Sequence, residues 1–264
     1  MSVIRPTKRL FMNNVSAPAQ FPTIGSHPFG EEDVRALVSS IARDGFARIH
    51  GYFGIQDIAE ARAQVIEKVR RSNGEYTSMG GTQGLKGHIL FHHFASDDAL
   101  NLCRAVCRHQ GHDLPADVGH KQVLRCLSGE SGLRHSYYFH FDSYFLTILV
   151  PIEIPAGEEA GDLLLFPNLR SHRKSYLVNA FEKFFYERKI VQRLIRFIAL
   201  RSSRVVRLKM EPGSVYLFNG DRTLHANASC DRERLRATLL FHYGETYRYH
   251  WLKRTRRAWA PALG

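Results

Sequence analysis

The stretch "YYFHFDSYF", Tyr137 to Phe145, places one histidine and one aspartate among six aromatic residues. Side chains on a β-strand alternate between its faces, so a strand here projects His140 and Asp142 to the same side. A buried hydrogen-bonded pair accounts for that arrangement. Two ligands of a metal awaiting a third account for it equally. With 14 histidines in the chain, one His-x-Asp/Glu is expected by chance, so the surroundings must decide.

Those surroundings are strand-like. From residue 121 onward the chain reads "KQVLRCL", "SYYFHFDSYFLTILVPIEIP", "GDLLLFPN", "RVVRLKM", "GSVYLFNG" and "LRATLLFHYGE". Turn sequences such as "PAGEEAG" and "EPGS" separate them. Several short strands behind a helical preface predict a β-sandwich or jelly-roll barrel with helices packed outside.

The preface, "GEEDVRALVSSIARDGFARIHGYFGIQDIAEARAQVIEKVRR", reads as helix, strand, helix. Acidic residues at 31 to 33 suit a helix start, and Gly45 can take the left-handed conformation that ends it. Residues 72 to 88 hold five glycines and are expected to form a mobile loop. "DDALNLCRAVCRH" is expected to be a short helix. Residues 1 to 30 read as an arm, 31 to 120 as helical preface and loop, and 121 to 250 as the β core of a single domain.

One segment breaks the strand pattern. Residues 175 to 204, "SYLVNAFEKFFYERKIVQRLIRFIALRSSR", read as a long amphipathic helix or a helix pair. Large apolar residues and mostly positive charges are the composition of helices at a membrane interface. Packing on the barrel with the basic residues in water is the other reading. The final "YRYHWLKRTRRAWAPALG" repeats the mixture of tryptophan and arginine.

The chain of 264 residues carries a formal charge of +12, which implies an anionic partner. No nucleic-acid-binding motif accompanies that charge, and no nucleic-acid partner is expected. No run of about eighteen apolar residues occurs, so no transmembrane helix is expected. "MSVIRPTKRLFMNN" lacks the apolar core of a secretory signal. The spacing of Cys103 and Cys107 suits neither a zinc ribbon nor a redox pair, so reduced thiols and a cytoplasmic location are expected.

A third ligand stands where a barrel would bring it. In "EPGSVYLFNGDRTLHANASC" a turn and a strand precede His225. Two histidines and one carboxylate on one face of an octahedral ion leave three positions open, the facial triad of non-haem Fe(II) oxygenases. Eleven residues later Arg236 and Thr238 share one face of the next strand. The arginine could grip a carboxylate with a rigid fork and the threonine could add a hydroxyl hydrogen bond.

In these features the chain resembles the Fe(II)- and 2-oxoglutarate-dependent oxygenases, specifically their phytanoyl-CoA hydroxylase-like branch. The preface, the HxD at His140 and Asp142, and "GSVYLFNGDRTLH" with Gly213, His225 and Arg236 carry the resemblance. It implies a mainly β fold with flanking helices: a double-stranded β-helix core, jelly-roll or cupin-like, with N-terminal helices and a helical insertion. It also implies Fe(II) on His140, Asp142 and His225, 2-oxoglutarate anchored by Arg236 and Thr238, and O2 as oxidant. "GDLLLFPNLR" departs from the family's usual turn there, leaving Asn168 and Arg170 without a role. Arg125 and Arg234 are the rival anchors. His92, His93, His135 and His242 are expected to be structural or surface residues.

The sequence thus predicts a hydroxylase acting on an anionic small molecule or a lipid- or sugar-linked substrate, with lipopolysaccharide sugars among the fits and peripheral membrane contact through 175 to 204. Two alternatives remain open at this stage. One is a cupin-like metalloenzyme that does not use 2-oxoglutarate; the other is a non-enzymatic basic binding protein on a barrel scaffold.

Overall fold

In the computed structural model, residues 29–247 are described, apart from 72–76, 81–84, 86, 95, 116 and 119. The N-terminal arm up to residue 28, the Trp- and Arg-rich end from residue 248, much of the glycine-rich loop and the His92 side chain lie outside that description.

The preface forms as its periodicity dictates. Helix α1 (Glu31–Asp44) buries Val34, Leu37 and Ile41 on one stripe. Asp33 accepts a hydrogen bond from the Gly30 backbone N–H at its start, and Gly45 closes it at φ 85°. Strand β1 (Ala47–Ile49) and helix α2 (Ile55–Arg71) follow. Within the supposed loop, Thr77–Gly80 forms strand β2 and pairs with β3 (His120–Leu127) at the sheet edge. Glycine content hid this strand, because an edge strand needs only one paired neighbour. Helices α3 (Ile89–His93) and α4 (Asp97–His109) lie between β2 and β3, and the short α5 (Gly129–Arg134) follows β3.

Six antiparallel strands make the larger sheet, in the order β1-β7-β4-β9-β3-β2, with β4 Tyr144–Glu153, β7 Val215–Asn219 and β9 Arg236–Glu245. A smaller sheet orders β6 (Val206–Leu208), β5 (Leu163–Phe166) and β8 (Leu224–Asn227). The fold is a double-stranded β-helix, mainly β with flanking helices.

Strand alternation sorts the core into three layers. Leu146, Ile148, Leu239 and Phe241 leave the outer face of the large sheet and meet α1, α2 and α4. Leu149, Leu163, Leu165, Met210, Tyr216 and Phe218 fill the space between the sheets. Outside the small sheet, Leu164, Leu224 and Ala226 pack with Phe139, Phe141 and Ile195. The inserted segment is a helix pair, α6 (Tyr176–Tyr186) and α7 (Lys189–Ala199).

One sequence reading shifts by a few residues. The HxD does not lie inside a regular strand: Phe139–Asp142 is irregular chain just before β4, tied to β8 by an isolated bridge between His140 and His225. His225 follows β7 as expected and itself lies within strand β8.

Candidate active site

The backbone brings the HxD and His225 together directly. His140 and His225 exchange both N–H···O bonds, at 3.0 and 3.1 Å. The Asp142 N–H donates to the Gly220 carbonyl at 2.9 Å. One ligand atom from each of His140, Asp142 and His225 falls within 4.8 Å of the other two.

Their orientation is set by the chain itself. Each imidazole lies against the carbonyl two residues before it: His140 Nδ1 at 3.1 Å from the Tyr138 oxygen, His225 Nδ1 at 3.0 Å from the Thr223 oxygen. A carbonyl only accepts, so each Nδ1 carries the proton and each Nε2 keeps its lone pair. Both lone pairs face the carboxylate, His140 Nε2 at 3.7 Å from Asp142 Oδ1 and His225 Nε2 at 3.6 Å from Oδ2.

Protonation follows the same geometry. Burial, aided by the neighbouring His225, pushes His140 down to about 4. Burial also lowers His225 and His242. Burial alone would raise Asp142, but His242, His225, His140 and the Thr147 hydroxyl outweigh it and hold the carboxyl far below its ordinary range. Neutral imidazoles beside an ionised carboxylate are the ligand forms a divalent metal requires. Two nitrogens and one oxygen on one side of the ion suit iron.

Thr147 and Gly220, which the sequence did not single out, support Asp142 together with His242, which was expected to be structural or at the surface and instead lies against the carboxylate. Thr147 donates its hydroxyl to Oδ2 at 2.5 Å, and His242, paired across the strands with Thr147, lies 3.5 Å from the same oxygen. Gly220 leaves the space they occupy: a Cβ there would collide with the Thr147 hydroxyl and stand 2.8 Å from Asp142 Oδ2. A glycine closing strand β7 was the only sequence signal for this approach.

Beside the triad opens a cavity of about 460 Å³, lined by Lys121, Arg125, His135, His140, Asp142 and Lys183 among others. Tyr138 and Tyr144 line it as well. A crevice of about 20 Å³ behind His140 and His225 touches Arg125, Asn227 and Thr238. Thr238 is therefore within the site.

Arg236 lies one layer deeper. On β9 it shares the inward face with Thr238 and His242 and is fully buried. Its Nε donates to the Gly161 carbonyl and its Nη2 to Asn227 Oδ1, both at 2.8 Å. Nη1 is buried with no partner among the described residues. Burial lowers the guanidinium to about 10, which still leaves it charged at neutral pH. Arg236 reaches the crevice through Asn227 and does not itself border either cavity. Arg125, opposite Thr238 across β3 and β9, borders both, and its Nε is buried with no partner among the described residues.

The remaining candidates separate cleanly. Arg234 donates to the Ala156 carbonyl at the surface. His93 bonds the Tyr52 hydroxyl at 2.7 Å, a structural contact. His135 lines the large cavity. Asn168 takes a left-handed conformation and holds the Ile41 carbonyl, while Arg170 is buried as a clamp on α6.

No protein-family model matches the sequence, and no curated protein matches it. Solved structures do resemble the fold. A prolyl hydroxylase from Trichoplax adhaerens, in complex with a hypoxia inducible factor peptide fragment, is 15% identical, with a TM-score of 0.54 over 81% of this chain and 90% of that one. EctD from S. alaskensis with bound Fe is 14% identical, with a TM-score of 0.56 over 86% and 80%. The epimerase SnoN, in complex with Fe3+, alpha ketoglutarate and nogalamycin RO, is 13% identical, with a TM-score of 0.53 over 82% and 85%. One of these neighbours holds Fe and another Fe3+ with alpha ketoglutarate, and at such identities the likeness is one of fold.

Proposed function

We propose that this chain is a non-haem Fe(II)- and 2-oxoglutarate-dependent oxygenase of the phytanoyl-CoA hydroxylase-like branch, forming one catalytic domain and hydroxylating an anionic substrate in the cytoplasm. The observation that carries the reading is the convergence of two backbone-pinned Nε2 atoms on the Asp142 carboxylate beside a large cavity. The helix–strand–helix preface supports the branch, and four free buried cysteines suit a reducing compartment.

Fe(II) with 2-oxoglutarate would supply an oxidant derived from O2, able to remove hydrogen from a C–H bond. The protein's own residues do the rest. His140, Asp142 and His225 would hold the metal, with Thr147 and His242 fixing the carboxylate. The unpartnered Arg236 Nη1 and the Thr238 hydroxyl suit the far carboxylate of 2-oxoglutarate, with Asn227 between Arg236 and the crevice. Lys121, Arg125, Lys183 and His135 give the cavity wall a basic character that favours a substrate bearing a carboxylate or phosphate. Tyr138 and Tyr144 supply aromatic surface beside the reacting bond.

Adding Fe(II) and 2-oxoglutarate to the purified protein without oxygen tests this. A metal-to-ligand charge-transfer band is expected, and it disappears in His140→Ala. No band, or an unchanged band in that variant, overturns the reading. With oxygen admitted, succinate should form slowly alone and faster with a true substrate.

A further inference from the structure

The inserted helices present their apolar residues to solvent. On α6, Leu177, Val178, Phe181, Phe184 and Phe185 are exposed, Phe181 at 71%. They fall on a single helical face by their spacing.

Apart from Tyr186, which packs on Phe141, what α6 turns toward the barrel is polar. Asn179 is buried and accepts from Arg170 Nη2 at 2.9 Å. Glu182 accepts from Arg170 at 2.5 Å and from Arg173 Nε at 2.8 Å. Lys183 donates to the Ser143 hydroxyl at 2.7 Å. This helix is inverted relative to an ordinary surface helix, whose apolar stripe faces the core.

Helix α7 continues the surface. Val191, Ile195 and Ala199 pack on the small sheet, while Ile190, Leu194, Phe197 and Ile198 point outward, Ile190 at 80% exposure. At 100° per residue, Lys189, Arg193 and Arg196 fall along one flank of that outward face. Arg188 lies over the Phe184 ring at 4.0 Å and Arg201 over Phe197 at 3.9 Å. Between residues 173 and 204 the only carboxylates are Glu182, which is paired inward, and Glu187.

We infer that the α6–α7 pair docks this protein on the headgroup layer of an anionic phospholipid bilayer, with the active-site cavity opening beside the bound face. Exposed aromatic and aliphatic side chains flanked by unopposed cations match an acidic interface in both chemistry and charge. A second copy of the chain matches less well, because pairing two such faces would set basic flanks against each other. Lys183, Tyr186 and Glu187 are shared between the insertion and the wall of the large cavity. The substrate is therefore the anionic headgroup of a lipid, taken up from the bilayer surface. That last step rests on the oxygenase reading, whereas the docking does not.

Vesicle flotation of the whole chain tests the inference, comparing phosphatidylcholine alone with phosphatidylcholine containing about a quarter phosphatidylglycerol. The protein should float with the acidic vesicles only, and high salt should release it. The double variant Phe181→Ser/Phe197→Ser should bind about tenfold or more weakly. Lys189→Glu/Arg193→Glu should also lose binding. Both variants should keep the wild-type thermal melt and the anaerobic charge-transfer band, because these side chains face outward and line neither cavity.

Failure of the wild type to float, or undiminished flotation of the Phe181→Ser/Phe197→Ser protein, overturns the inference. So does a wild-type dimer in sedimentation that those substitutions dissociate, since a second copy would then cover the face. A charge-transfer band without flotation refutes the docking and leaves the oxygenase intact. Flotation without a band refutes the oxygenase and leaves the docking surface standing.

Discussion

Thr147 and Asp142, five residues apart at the entrance to β4, share a hydrogen bond of 2.5 Å into the oxygen that faces His225. The hydroxyl thereby fixes which carboxylate oxygen is turned toward the second histidine. Removing it should cost metal affinity while the fold survives. Thr147→Val should weaken Co(II) or Fe(II) binding about tenfold to a hundredfold, the usual cost of losing a partner behind a metal ligand. Thr147→Ser should bind nearly as wild type. Metal titration of the three proteins checks this, and equal affinities would refute it.

Gly220 carries a sharper constraint. Its missing side chain is the space filled by the Thr147 hydroxyl and Asp142. Gly220→Ala should push Asp142 away from both imidazoles and destabilise the chain by about 1–3 kcal/mol. A lowered melting temperature together with lost metal binding is the expected result. Gly157→Ala serves as a control, since no atom would crowd a Cβ there, although its φ of 102° adds modest strain.

The two interior arginines should separate by readout. Arg236 holds Gly161 and Asn227 from a fully buried position, so Arg236→Leu should lower the melting temperature and also abolish 2-oxoglutarate binding. Arg236→Lys should keep more stability but lose at least about tenfold in 2-oxoglutarate affinity, because one ammonium cannot reproduce the fork. Arg125→Ala, at the cavity wall, should leave the melt nearly unchanged. If instead Arg125→Ala abolishes 2-oxoglutarate binding and Arg236→Lys does not, the anchor is Arg125.

Acid should unfold the chain partly through His88. That imidazole is buried, its Nε2 lacks a partner among the described residues, and burial with nearby Lys68 lowers it from 6.5 to about 4. The unfolded chain then binds the proton more readily than the folded one between those values. Stability must fall as the pH drops from about 6.5 toward 4. His88→Gln should flatten that part of the profile in urea titrations run across the range.

Much of the candidate site's geometry was legible in the sequence because it depends on local spacing. The parity of His140 and Asp142, the position of His225 after a turn and strand, and the shared face of Arg236 and Thr238 are all near-neighbour relations. Thr147, Gly220 and Asn227 act across strands or between a strand and a turn, and register is not written in either partner alone. Arg125 was named from the sequence as a rival anchor, but its place opposite Thr238 is again a matter of register. The inversion of α6 escaped for another reason. Periodicity reveals that a helix has two faces, but only Arg170 and Ser143 from elsewhere in the chain decide which one turns inward.

The two carbonyl-held imidazoles have a thermodynamic consequence. Because Tyr138 and Thr223 already fix both rings, loading the ion need not order them. Metal uptake should then be nearly uncoupled from folding, unlike that of small domains which collapse only around their ion. A chelator should empty such a site and leave the barrel standing, with amide exchange in β4, β8 and β9 almost unaltered. The scaffold is preorganised, and the chain should keep its shape whether or not a metal occupies the triad.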